Sequence, residues 1–343
     1  MGVVDAAIKE FMSDKQNFAD AFNLGVFGEP LIEADKLVQL NPDLTGALFQ
    51  DGGNRFLQSL QRTLDDAMIA ETMMRDEYAT YLILGMEYQT EEHLAMPVRV
   101  LLETAMLYAR QVREIELRNR KEDRERRNQK RKKTAESPGQ ESESGIFSDP
   151  GAFLSGLTPN DRLYPVIIAV LYLGEKPWTA PQTLSEMLTT RQERILRYTP
   201  SFRLNLITPD STPVLDAYRA SSFSQFMRTL KAGRQSKEEL LNLFQEQEFE
   251  QMSIGTIRLV NTILHSDIPI HSDAGGFVNM CKAVREIREE ISGYKSQIAQ
   301  ERERHKQRET ELIRQMDEER KQKEAEYLQK EAELLQIIAE LRK

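Results

Sequence analysis

The stretch TYLILGMEYQ, residues 80–89, decides how this chain is read. Thr80 to Met86 is a continuous apolar run rich in strand formers, so it reads as a buried strand that ends at Glu87. Residues two apart on a strand share a face, so Glu87 and Gln89 project the same way. A carboxylate at the end of a core strand is costly if it is buried and unpaired, and a bound cation would offset that cost. Asp66 lies upstream, and a hairpin returning through residues 67–80 would bring it beside Glu87. Two carboxylates at close range repel unless a metal sits between them. Mg²⁺ suits such a pair, because it takes one or two carboxylates together with waters and a phosphate oxygen. The plainer alternative is that Glu87 closes a strand at the surface and Asp66 caps a local turn.

Downstream of the strand, Val98, Leu101, Leu102, Ala105, Tyr108, Ala109 and Val112 form the stripe of a helix, with Pro97 in its first turn. The helix then turns polar through RNRKEDRERRNQKRKK, residues 118–133, where ten Lys and Arg stand against three acids, a local charge of +7. That run reads either as a solvated helix end or as a flexible arm that grips phosphates and weakens with salt. TAESPGQESESGIFSD, residues 134–149, reads as a disordered linker. PVIIAVLYL, residues 165–173, is a second buried strand, ended by Gly174 and Pro177. From Thr183 to Val260 the pattern is mostly helical, with Leu204–Ile207 as a short strand.

At the N-terminal end, Phe11, Phe18 and Phe22 share one helical face. Residues 25–50 are broken by Gly28, Pro30, Pro42 and Gly46 and read as loops with short strands. Residues 56–77 follow neither period. The tail from Met280 to Lys343 reads as one long charged helix. Ile291, Ile298 and Leu312 share a heptad position, His305 fills the place between, and apolar spacing returns at Leu328, Leu334, Leu335, Ile338 and Leu341. This is an interrupted coiled-coil pattern, and two such tails would pair into a homodimer.

Composition narrows the chemistry. Four histidines and one cysteine, Cys281, are too few and too scattered for a zinc site, and a lone cysteine makes no internal disulfide. GxxxxGK[ST] and GxSxG do not occur. A net charge of −9 argues against a protein that coats nucleic acid, although acids and bases are segregated along the chain. No basic segment followed by an apolar stretch opens the sequence, and no run approaches a membrane span, so a cytoplasmic chain without a membrane partner is expected.

Four phrases, in order along residues 8 to 290, carry a family resemblance: FMSDKQNFADAFNLGVFG (11–28), YLILGMEYQTEEHLAMPVRVLLETAMLYARQV (81–112), DRLYPVIIAVLYLGEKPW (161–178) and VNMCKAVREIREE (278–290). The chain resembles the Rpn family of recombination-promoting nucleases and transposases, its clostridial-type members in particular. The resemblance implies an α/β fold with a PD-(D/E)XK, restriction-endonuclease-like core: a mixed central sheet flanked by helices, over residues 1–275. A basic insertion at about 118–150 interrupts it, and residues 276–343 form the long charged helix. It implies an Mg²⁺-dependent DNA endonuclease, with Mn²⁺ or Ca²⁺ as alternative ions, acting on double-stranded DNA with little sequence preference.

Carried over residue by residue, the acid on one strand is Asp66, the following (E)xQ is Glu87 and Gln89, and Asp66 and Glu87 are the metal ligands. Asp20 in ADAF supplies a further acid from the first helix, and Arg99 in MPVR contacts a phosphate. The phrase TLDDAMIAET departs from the family's strand pattern, which leaves Asp65 beside Asp66 as an alternative. The same departure leaves open a second function, a nuclease-fold protein with weak or lost activity that recruits DNA or protein through its C-terminal helix.

Overall fold

The computed structural model describes residues 2–40, 66–72, 81–136, 145–147, 149–266, 268 and 276–341. The chain divides into two units, Met1–Met280 and Cys281–Lys343. Among the described residues no helix is long and apolar enough to cross a membrane.

The first unit opens with two helices, α1 (Val3–Met12) and α2 (Lys15–Phe22). Asp14 separates them: its carboxylate accepts from the Gln16 amide at 2.8 Å and caps α2. Phe11, Phe18 and Phe22 are all buried, as their spacing suggests. A π-helical turn follows over Asn23–Phe27 and ends on Gly28, whose φ of 71° favours glycine. Asn23 fastens this turn to the sheet. Its buried amide donates to the Ile32 carbonyl at 2.8 Å and accepts from the backbone amides of Leu31 and Ile32 at 2.9 and 2.8 Å.

Three antiparallel strands come next, β1 (Ile32–Gln39), β2 (Asp66–Thr72) and β3 (Tyr81–Gln89). The long helix α3 (Met96–Glu136) and a short α4 (Pro150–Ser155) then lead to β4 (Val166–Tyr172), which lies parallel to β3. After α5 (Glu193–Leu196), β5 (Asn205–Ile207) adds parallel to β4. The sheet order is β1-β2-β3-β4-β5, so the two most apolar strands stand at its centre, which is why both read as continuous apolar runs. The unit closes with α6 (Ser222–Gln235), α7 (Lys237–Leu243), β6 (Met252–Ser253), α8 (Ile254–Leu264) and β7 (Phe277–Val278), β6 and β7 forming a small antiparallel pair. The last helix is α9 (Met280–Leu341), which makes up the second unit from Cys281 onward. The fold is mixed α/β, with antiparallel and parallel strands in one sheet.

The two faces of the sheet have different covers. Ile83, Ile168 and Val170 pack with Met96, Val100 and Leu107 of α3. On the other face, Ile207 meets the π-turn so closely that a methyl group added at Gly25 would stand 2.7 Å from it. β3 also runs two residues further than expected. Glu87 pairs with Val170 and Gln89 with Tyr172, so Glu87 is inside the ladder and not at its end. Its place in step with Ile83 puts it on the α3 face.

The buried face of α3 is not the stripe expected from Val98, Leu101 and Ala105. Val98 and Ala105 are exposed, while Met96, Val100, Glu103, Leu107 and Gln111 are buried. Polar residues occupy this face because each has a partner there. Gln111 donates to the Tyr164 carbonyl at 3.1 Å and accepts from the Tyr164 amide at 2.7 Å, fixing the entry into β4.

The basic run departs from its expected form too. Residues 118–133 continue α3, which extends to Glu136 within the stretch expected to be a disordered linker. Asn119 donates to the Gly156 carbonyl at 3.0 Å and to Asp161 at 2.8 Å, and Asp123 accepts from the Ile146 amide at 3.0 Å. Arg118, Arg120, Arg126 and Arg127 are ion-paired with Asp161, Glu116, Glu122 and Asp123. The helix is therefore a docking rail for Ile146, Gly156 and Asp161, and its polar periodicity serves that contact. Residues 137–144 lie outside the described set.

Candidate functional site

Glu87 is the centre of a buried charge cluster. Its Oε2 accepts from Nη2 of Arg99 at 2.5 Å, and Nε of the same guanidinium donates to Oε1 of Glu103 at 3.1 Å. Both glutamate side chains are 0% exposed and the arginine side chain is 25% exposed. The geometry follows from the elements. Arg99 and Glu103 are one helical turn apart near the start of α3, and Glu87 stands on the strand beneath. The described ion pairs thus set two fully buried carboxylates against one guanidinium. Breaking such a pair is expensive, because the group left behind keeps its desolvation cost.

Of the predicted site residues, the structure brings Glu87 and Arg99 together. The Arg99 fork, expected to contact a phosphate, is bonded to the two glutamates. Glu103 is the participant that sequence reasoning missed. Gln89 is two residues along from Glu87 on the same face and is half-buried. Asp66 begins β2 and takes the register position opposite Met86, one step short of Glu87 in the ladder. Positions paired across an antiparallel ladder belong to one face, here the face of Met86. Asp65, the alternative acid, lies outside the described residues.

Asp20 belongs to a different environment. It is 0% exposed on α2, its Oδ1 accepts from the Gln16 side-chain amide at 2.7 Å, and the groups that act on it are Gln16, Ser221 and Asp14. Tyr218 stands near enough to feel its charge. Glu87 is not among these groups. Burial pushes the Asp20 carboxyl above its usual range, the hydrogen bonds from Gln16 and Ser221 pull the other way, and the charge of Asp14 adds to the rise.

A folded-state pKa above the unfolded value means that the stabilising contribution is complete below the unfolded pKa. It is lost as pH rises through the folded one. Asp20→Asn is therefore expected to flatten the fall in stability between pH 4 and pH 7. Urea unfolding at both pH values checks this, and an unchanged pH dependence in the variant refutes it.

A cleft of about 630 Å³ opens at the C-terminal ends of β3 and β4, the end where open α/β sheets place ligands. Thr90, Glu91, Glu92, Tyr172, Glu175 and Lys176 are among its walls. Glu92 accepts from the backbone amides of Thr179 and Ala180, which hold its carboxyl below the usual range and tie the loop after β4 to the end of β3. Burial, and then the charges of Glu92 and Glu91, push the Tyr172 hydroxyl up. Glycine is required at 174, where a Cβ would stand 2.2 Å from the Tyr172 hydroxyl and 2.6 Å from the Thr90 carbonyl oxygen.

Among the described residues no group of three or more His, Cys, Asp and Glu stands close enough to hold a metal ion. No protein-family model, curated protein or solved structure matches the chain.

Proposed function

We propose that this chain is a divalent-cation-dependent endonuclease that hydrolyses phosphodiester bonds of double-stranded DNA with low sequence specificity, serving recombination or mobile-element transfer. The observation that carries the reading is Glu87, a fully buried carboxylate inside a central strand, sharing one guanidinium with a second buried carboxylate. The order of elements supports it: helices, a three-stranded antiparallel meander, a long helix and a parallel strand. That order is compatible with the restriction-endonuclease-like core implied by the resemblance.

The donor chemistry fits a hard cation. Mg²⁺ needs only one or two carboxylates beside waters and substrate oxygens, and Mn²⁺ and Ca²⁺ accept the same oxygen donors. Glu87 and Glu103 would hold it; Asp66, expected to share the ion with Glu87, takes the register position of Met86 on the opposite face of the sheet and does not join them. An ion bound there would polarise a phosphoryl oxygen and lower the pKa of a coordinated water. Arg99 fixes the rotamers of both glutamates and balances part of their charge. Gln89 bears no charge, so its role is to orient water or phosphate by hydrogen bonds.

Supercoiled plasmid incubated with the protein and Mg²⁺, Mn²⁺ or Ca²⁺ is expected to become nicked and then linear, and a chelator to stop the reaction. No conversion with any of the three ions overturns the reading. Asp65→Asn and Asp66→Asn, compared in the same assay, decide whether either acid takes part.

A second reading rests on a different observation. α9 carries an exposed apolar stripe that includes Ile291, Ile298 and Leu312. In that reading the first unit is a platform and the tail recruits a partner, a second copy of the chain in the homodimer form.

A further inference from the structure

We infer that α9 pairs with α9 of a second copy in an antiparallel coiled coil centred on Leu312. The inference rests on the homodimer reading and specifies its geometry. α9 is a 62-residue helix whose described residues from Glu289 onward are all exposed, so its core positions have no cover within the second unit. A polar helix of that length is not secure without packing.

The sequence of core positions decides the orientation. Steps of three and four residues run from Ile291 through Tyr294, Ile298, Glu301, His305 and Arg308 to Leu312. They continue through Met316, Arg320, Lys323, Tyr327 and Lys330 to Leu334, with three steps of four in succession at Arg308–Leu312–Met316–Arg320. In a parallel dimer each position would face itself. Glu301, Arg308, Arg320, Lys323 and Lys330 would then each meet a like charge in the core, which is destabilising in every layer.

Reversing one helix about Leu312 removes most of that conflict. Leu312 then faces its own copy, Ile298 faces Tyr327 and Ile291 faces Leu334. Glu301 faces Lys323, opposite charges, and Tyr294 faces Lys330, a ring beside an ammonium group. Arg308 meets the flexible Met316. His305 against Arg320 is the one layer that gains nothing. The stripe is thus close to its own mirror image in apolar positions and complementary in charge, and a second copy of this chain is the partner that has that pattern.

The test uses the full-length chain in a Cys281→Ser background. Protein carrying Glu301→Cys is mixed with protein carrying Lys323→Cys under mild oxidation. A disulfide requires Cα atoms within about 7 Å, so each register gives its own product. The antiparallel pair yields the mixed 301–323 species and neither self-linked one. A 301–301 product overturns the orientation while leaving the homodimer reading intact. A monomer in sedimentation at all concentrations overturns both. In the wild-type background Glu301→Lys is expected to weaken association roughly tenfold, because symmetry places the pair twice in the dimer. Adding Lys323→Glu is expected to restore it. A double variant as weak as the single one refutes the pairing.

Discussion

Glu87→Gln is expected to abolish divalent-cation-dependent nicking, by about a hundredfold to a thousandfold, while leaving the protein nearly as stable as wild type. The activity loss follows from the proposed role. A metal's stabilisation of developing charge amounts to several kcal/mol, and about 1.4 kcal/mol is a factor of ten in rate. Glutamine keeps the shape of the side chain and loses the anionic donor. The small effect on stability follows from the described ion pairs. Arg99 bridges Glu87 and Glu103, so neutralising Glu87 keeps the guanidinium's bond to Glu103. A plasmid assay beside a thermal melt reads both halves. Equal nicking by wild type and variant removes Glu87 from the site.

The central strands were legible in the sequence because burial on both faces leaves no alternation to misread. Leu82 through Met86 and Ile168 through Leu173 are buried without a break, and apolar runs of that length have few other readings. The end of β3 was harder. Tyr88 and Gln89 look like the polar exit of a strand, yet Gln89 still pairs with Tyr172 and its backbone carbonyl accepts from the Leu173 amide at 2.8 Å. Strand length here is set by the partner strand, which local sequence does not contain.

Glu103 was hidden for a related reason. A search for apolar spacing on α3 finds Leu101, Leu102 and Tyr108 and rotates the helix away from its true buried face. That face has Glu103 and Gln111 in the places where hydrophobes are sought. The signal that would have found it is Met96, Val100, Glu103 and Leu107 at steps of four, three and four, with Arg99 one turn before the glutamate. An arginine four residues before a glutamate on a helix is common on surfaces. It became a core feature here only because Glu87 lies on the strand below. The polar half of α3 carries the same lesson, since Asn119 and Asp123 are buried by a segment that returns after a gap in the described chain.

Arg99→Met separates the charge cluster from the chemistry proposed for it. Methionine matches the apolar stem but removes the guanidinium, so Glu87 and Glu103 lose their shared counter-charge inside the fold. Removing one partner of a buried ion pair costs about 3–5 kcal/mol, and here one substitution breaks two such contacts. The variant is therefore expected to unfold at markedly lower urea concentration than either wild type or Glu87→Gln, the reverse of what a surface arginine would do. Its response to metal then tests the site. With the guanidinium gone, a divalent cation can take its place between the carboxylates. Mg²⁺ or Mn²⁺ should raise the melting temperature of Arg99→Met more than that of wild type, with a gain approaching about 2.7 kcal/mol when the ion is a hundredfold above its Kd. In Glu87→Gln combined with Arg99→Met the gain should disappear, because one carboxylate cannot bridge. If the ion stabilises wild type, the single variant and the double variant equally, it binds elsewhere, and the Glu87–Glu103 pair is a structural ion pair alone.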